Sequence, residues 1–206
     1  YADAPELFGT LIDAYLDAGY DDAAFMDNVL TLLFAGYDTT SSAMQATINL
    51  MILHPEYLSK IRVELKGKLG ITTDMPDELV AERLHEARKL PIMSAIIREA
   101  LRLDPIVVNT FRRVLEPVEL VDGTVVPPGW VINVSLGRTV QTMPGVHNRE
   151  AFNPEWWLSN QEPSHFDFCP FGAGSRLCPG NETAVHEVAM LLASIALKAR
   201  VSFYDA

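Results

Sequence analysis

Phe171-Gly172-Ala173-Gly174-Ser175-Arg176-Leu177-Cys178-Pro179-Gly180 gathers flexible backbone, one thiol and one cation into a single short stretch. Beyond it Val185, Val188, Leu192, Ile195 and Ala199 recur at spacings of three and four, and Pro179 suits a first helical position, so the chain is expected to turn helical directly after Cys178. A thiol at a helix N-terminus meets unpaired N–H groups and the positive end of the helix dipole, and Arg176 adds a charge two residues away. Both favour thiolate over thiol. A thiolate is a metal ligand or a nucleophile, whereas a lone cysteine after a glycine turn can equally pack as a small hydrophobe. Gly172 and Gly174 let the backbone turn tightly and approach a large flat partner, to which Phe171 offers a face.

The rest of the composition narrows the classes. A chain of 206 residues with 49% hydrophobic and 21% charged residues is long enough to bury one sizeable core and is neither disordered nor collagen-like. Its net charge of −11 argues against a nucleic-acid surface, which needs clustered Lys and Arg. Cys169 and Cys178 suggest neither a disulfide framework nor a zinc site, and a reducing compartment is the simpler expectation. No run of about 18 apolar residues and no signal-peptide pattern is found. The chain opens on Tyr1, which is expected of a piece of a longer protein and leaves room for an anchor or targeting segment upstream.

Upstream of the loop, Leu7, Leu11, Tyr15 and Ala18 share a helical spacing that ends at Gly19, predicting a short packing helix. Asp21 or Asp22 caps a second helix to about Leu53, where His54-Pro55 stops it. Val29-Leu30-Thr31-Leu32-Leu33-Phe34 is apolar almost all round, which predicts burial. In mid-helix, Ala35-Gly36-Tyr37-Asp38-Thr39-Thr40 sets two small residues one turn before a carboxylate and two hydroxyls. A ligand can press on the backbone there, and Thr39 can bond the Ala35 carbonyl and bend the helix; a polar exposed turn fits the same residues.

Pro55 begins a scaffold helix with Leu58, Ile61 and Leu65 on one face, closed by Gly67 and Gly70, and residues 77–89 read as a charged, solvated helix. Pro91 starts a helix through Leu103 in which Glu99 has Ile92, Ala95, Ile96 and Leu103 as helical neighbours, so its charge is expected to be buried with Arg102 as partner. Asp104-Pro105 ends it, and strands are predicted at 106–108, 118–121, 124–126 and 131–135, with Asp122-Gly123 as a hairpin turn. Residues 139–168 read as loop-rich and packed by their own aromatics.

The pattern Phe171-Gly172-x-Gly174-x-Arg176-x-Cys178-x-Gly180 resembles the haem-binding loop of the cytochrome P-450 family, the haem-thiolate monooxygenases. Residues 35–40 resemble the oxygen-binding segment of that family's long helix, and Glu99 with Arg102 its Glu-x-x-Arg brace. Phe152-Asn153-Pro154-Glu155 resembles the segment in which an arginine after Pro-Glu completes a triad with that brace; Trp156 stands in the arginine's place, which puts the third member in question. The four landmarks follow the family's order.

That resemblance implies a mainly α fold with a small β region, the C-terminal half of the cytochrome P-450 fold, with residues 1–206 as the C-terminal part of one haem-thiolate monooxygenase domain. It implies haem b, an iron protoporphyrin, with Cys178 as axial thiolate and metal ligand. Ala35 and Gly36 would border the oxygen site, Phe171, Gly172 and Gly180 would shape the cofactor loop, and Arg112 and Arg176 would meet propionates. Asp38 and Thr39 would be the catalytic proton relay. The implied reaction inserts one atom of O2 into a C–H bond of a small lipophilic substrate, with electrons from an NAD(P)H-dependent reductase or a ferredoxin. The wording of residues 99–182 is closest to retinoid- and sterol-oxidising relatives. A non-catalytic haem-binding remnant and a haem-thiolate isomerase or dehydratase are the alternatives. A eukaryotic member would sit at the endoplasmic reticulum membrane, a bacterial one in the cytoplasm.

Overall fold

The computed structural model describes residues 13, 15, 17–19, 21–146, 148–159, 162–164 and 166–203. They belong to two compact units, Tyr1–Asp38 and Thr39–Ala206. Helices dominate, with two small sheets.

In the first unit Asp13, Tyr15 and Asp17 are helical and Gly19 turns at φ +71, where the spacing predicts the helix to end. The packing positions Leu7 and Leu11 of that expectation lie outside the described residues. Asp21 accepts a hydrogen bond from the Ala24 amide at 2.8 Å and so caps α1, Asp22–Leu53. The apolar run along α1 is not buried as the sequence led one to expect: Leu33 is 65% and Phe34 77% exposed. An all-round apolar helix reports a demand for cover, and says nothing of which elements supply it. The unit boundary falls within α1.

The second unit holds the core. The last turns of α1 bury Thr40, Ala43, Ala46, Thr47 and Met51. Helix α2, Glu56–Glu64, widens into a π-type turn over Leu65–Leu69 that Gly70 closes at φ +64. Residues 77–89 do not form one helix: α3, Asp77–Leu84, gives way to a turn and a 3-10 segment, Ala87–Lys89. Leu90 then goes extended because it precedes Pro91, and a residue before proline is pushed out of the helical region. Nor is this stretch all solvated, since Val80, Leu84 and Ala87 are buried.

Helix α4, Pro91–Leu103, has no capping side chain of its own, and Glu64 on α2 supplies one. Its carboxylate accepts the Ile92 amide at 3.0 and 3.1 Å and the Met93 amide at 3.2 Å. Helix α6, Asn181–Lys198, packs on α2, where the Arg62 guanidinium donates to the Ala196 carbonyl. Ile61, Leu65, Ile71, Met93, Ile96, Leu192, Ala193 and Ala196 are fully enclosed at the centre.

Strand β1, Thr110–Arg113, pairs antiparallel with β4, Val131–Val134, and inside that pair β2, Val118–Glu119, pairs with β3, Val125–Val126. The Asp122-Gly123 turn is a hairpin as predicted, with Gly123 at φ +83. Residues 106–108 are not a strand; the ladder begins at Thr110. The stretch read as loop from residue 139 opens inside α5, Leu136–Gln141, whose Leu136, Gly137 and Val140 are buried. Among the described residues no helix is long and apolar enough to cross a membrane.

Candidate functional site

Helix α6 begins at Asn181, not immediately after Cys178. Pro179 and Gly180 form a turn between them, so Cys178 stands outside the first helical turn and not at the helix N-terminus that the sequence predicts. The loop holds its shape by closing on itself. The Cys178 amide donates to the Phe171 carbonyl at 3.0 Å, Gly172 to Cys169 at 2.9 Å and Leu177 to Gly174 at 3.1 Å. Gly172 and Gly174 lie at φ +77 and +70, a backbone region that side-chain-bearing residues rarely enter. Cys178 is exposed at the loop's outer end, as are Arg176 and Leu177, and Gly180 lies beside its sulfur.

The loop's other side meets the core. Phe171 packs against the central cluster, and an open hollow of about 210 Å³ lined by Ile97, Arg98, Leu101, Phe168, Phe171 and Val185 separates the loop from α4. Cys169 is only 8% exposed, and burial followed by the nearby Asp167 charge pushes its thiol pKa up. Of the two thiols only Cys178 is open to an incoming group. Among the described residues no three His, Cys, Asp or Glu side chains gather as a metal site. One exposed thiol is a donor set that would fit an iron carrying its own equatorial ligands.

On α4 the Glu99–Arg102 pair is buried as the neighbouring apolar residues predicted, at 2% and 0% exposure. Arg102 grips Glu99 through Nε and Nη2, both at 2.8 Å, and donates to the Arg149 and Ala151 carbonyls at 2.7 and 3.0 Å. Glu99 also accepts the Asn153 amide and the Trp157 indole Nε1–H, each at 2.8 Å. The third side chain on this pair is therefore Trp157. Trp156, the position the sequence comparison singled out, sends its indole N–H to the Gly145 carbonyl at 3.1 Å. The segment around them is held at its near end too: Phe152 packs between His54 and Tyr57, and Glu155 accepts from Tyr57 and Lys60. Burial, then Glu155, pushes the Tyr57 hydroxyl pKa far up, so that hydroxyl remains a donor.

Two further groups of candidates lie on β1 and on α1. Arg112 is exposed on β1 and donates along its own strand, to Thr110 Oγ1 and the Phe111 carbonyl, both at 2.8 Å. Among the described residues no hydrogen bond or ion pair joins it to the cysteine loop. Ala35, Gly36, Asp38 and Thr39 are exposed on α1, and a Cβ on Gly36 would meet nothing within 4 Å. Sequence reasoning missed Trp157 and Glu64. Trp157 was hidden by an expectation of a cation one position earlier, and Glu64 acts 28 residues from the amide it caps, beyond any local spacing rule.

With this geometry in hand, similarity is informative. A family model described as "Cytochrome P450" matches residues 9–204. Cytochrome P450 26A1 of Xenopus laevis is 33% identical over 163 residues, covering 78% of this chain and 33% of the relative. Cytochrome P450 85A1 of Brachypodium distachyon is 32% identical over 176 residues, covering 83% and 36%. Among solved structures, a cytochrome P450 (CYP102L1) superposes with a TM-score of 0.72 at 24% identity, covering 86% of this chain and 39% of that one. A zebrafish cytochrome P450 solved with progesterone gives 0.66 at 26%, covering 81% and 36%. The chain spans about a third of the length of the curated relatives it matches.

Proposed function

The chain belongs to the cytochrome P450 family, and from that membership we propose that it is the haem-ligating part of a monooxygenase acting on a small lipophilic substrate. The observation that carries the proposal is the exposed Cys178 thiol on a self-closed glycine loop. Haem b bound there would supply the iron for O2 activation, and a thiolate ligand favours O–O cleavage.

The chain's own residues take the following parts. Cys178 would ligate the iron through Sγ. Phe171 lends an apolar face, and Gly172 and Gly180 keep Cβ atoms out of the way. Arg176, exposed two residues before Cys178, would hold a propionate through charge-assisted bonds. Arg112, which donates to Thr110 and Phe111, would be a second propionate partner. Ala35 and Gly36 put little side-chain bulk on that turn of α1. Thr39 holds a proton on Oγ1, and Asp38, about 100° round the helix, replenishes it from solvent through a rotamer change or a water. The buried Glu99–Arg102 pair holds α4 to the 149–157 segment so that the loop has a fixed seat.

Electrons come from an NAD(P)H-dependent reductase or a ferredoxin. The lipophilic substrate class is supported by the relative solved with progesterone and by the resemblance of residues 99–182 to retinoid- and sterol-oxidising proteins. The test is O2 consumption by the full-length enzyme with its reductase, NADPH and a panel of sterols and retinoids. Substrate-dependent uptake of O2 with a hydroxylated product is expected. A thiolate-ligated protein that converts a substrate without consuming O2 or NADPH would instead be an isomerase or dehydratase.

A further inference from the structure

Four hydrogen bonds converge on the Glu99 carboxylate: Arg102 Nε and Trp157 Nε1 on Oε2, Arg102 Nη2 and the Asn153 amide on Oε1, all at 2.8 Å. A carboxylate offers about four lone-pair sites, so this acceptor is full. Besides Arg102, the side chain among these donors is Trp157, which is 8% exposed. Its ring is engaged as well. The Arg98 guanidinium lies over it, 4.2 Å from the centroid, and the Phe168 ring packs at 4.6 Å. Arg98 is itself fixed from outside by a two-bond contact with Glu162, at 2.9 and 2.6 Å. Phe168 leads directly into Cys169-Pro170-Phe171, and it lines the same hollow as Phe171 and Arg98. Trp157 therefore touches the buried ion pair with one edge and the approach to the cysteine loop with its face.

The choice of an indole has an electrostatic logic. Glu99 and Arg102 already pair in charge, so the last acceptor position on the carboxylate can be filled by a neutral donor. An indole N–H fills the last acceptor site and adds no charge.

We infer that Trp157 is the third member of the Glu99–Arg102 brace and a positioning residue for the Cys178 loop, acting through Glu99 on one edge and Phe168 on the other. The inference rests on the haem-thiolate reading. Trp157→Phe in the full-length holoenzyme keeps a ring for Arg98 and Phe168 and removes the N–H alone. Leaving an acceptor of a buried charged group unfilled is expected to make the ferrous–CO complex lose its thiolate-type band roughly tenfold faster than wild type. That loss should run ahead of any loss of the far-UV helical signal. Trp156→Phe should decay at the wild-type rate, because its N–H serves only the Gly145 carbonyl. A wild-type decay rate in Trp157→Phe, an equal effect in Trp156→Phe, or a decay that merely tracks unfolding or failure to fold would overturn the inference. A wild-type enzyme with no thiolate-type band at all would instead overturn the haem-thiolate reading on which it stands.

Discussion

Cys178 and Cys169 lie nine positions apart yet sit in opposite environments, one exposed and one enclosed. Because burial pushes the Cys169 thiol up, its thiolate fraction near neutral pH falls below that of an ordinary cysteine, and access is blocked besides. Iodoacetamide at pH 8 is expected to alkylate Cys178 in the haem-free folded protein well before Cys169, with Cys169 following only at alkaline pH or on unfolding; peptide mass spectrometry reads the order. A second residue-scale prediction concerns the exposed Thr39. Thr39→Ala in the full-length enzyme should keep the thiolate-type spectrum and NADPH consumption but divert most electrons to hydrogen peroxide, since positioned proton transfer is worth about 10²- to 10⁴-fold. Thr40 is buried, so Thr40→Ala should disturb coupling much less. Peroxide released per NADPH distinguishes them. Of these residues, the Glu99–Arg102 burial was legible because four apolar neighbours at helical spacing surround Glu99. Trp157 was not, because an indole N–H replacing a guanidinium one position along changes the residue type and the register together.

Among the elements, those whose signals are local were legible. Asp21 caps α1 three residues ahead of the amide it serves, and Asp122-Gly123 turns β2 into β3 within its own hairpin. Signals that cross the fold were not legible. Helix α4 begins at Leu90-Pro91 with no local cap, and its first amides are satisfied by Glu64 on another helix. The helix that Glu64 caps is the one that carries Glu99 and Arg102. Glu64→Ala should lower stability by about 1–2 kcal/mol, the usual worth of a charged cap in a partly buried setting. Glu64→Gln, which still accepts a hydrogen bond, should lose less. Urea denaturation curves at unchanged slope would measure both.

At the scale of the molecule, the mainly α class and the small β region were legible in the change from a three-to-four spacing to strand signals after Asp104-Pro105, and the structure bears them out. The exposure along α1 was not legible, because apolar periodicity does not name the covering partner. Leu30, Leu33, Phe34 and Tyr37 follow one another at helical spacing and are 57%, 65%, 77% and 79% exposed. The isolated 206-residue chain is accordingly expected to self-associate and bind a hydrophobic dye, and Leu33→Glu with Phe34→Glu to reduce both by light scattering and fluorescence. The central claim, that Cys178 is the iron ligand, is tested most directly by the ferrous–CO difference spectrum of the full-length protein. The account predicts a thiolate-type, strongly red-shifted Soret band in wild type and Cys169→Ser, and its loss in Cys178→Ser. A band that survives Cys178→Ser, or one that is lost with Cys169→Ser instead, would contradict it.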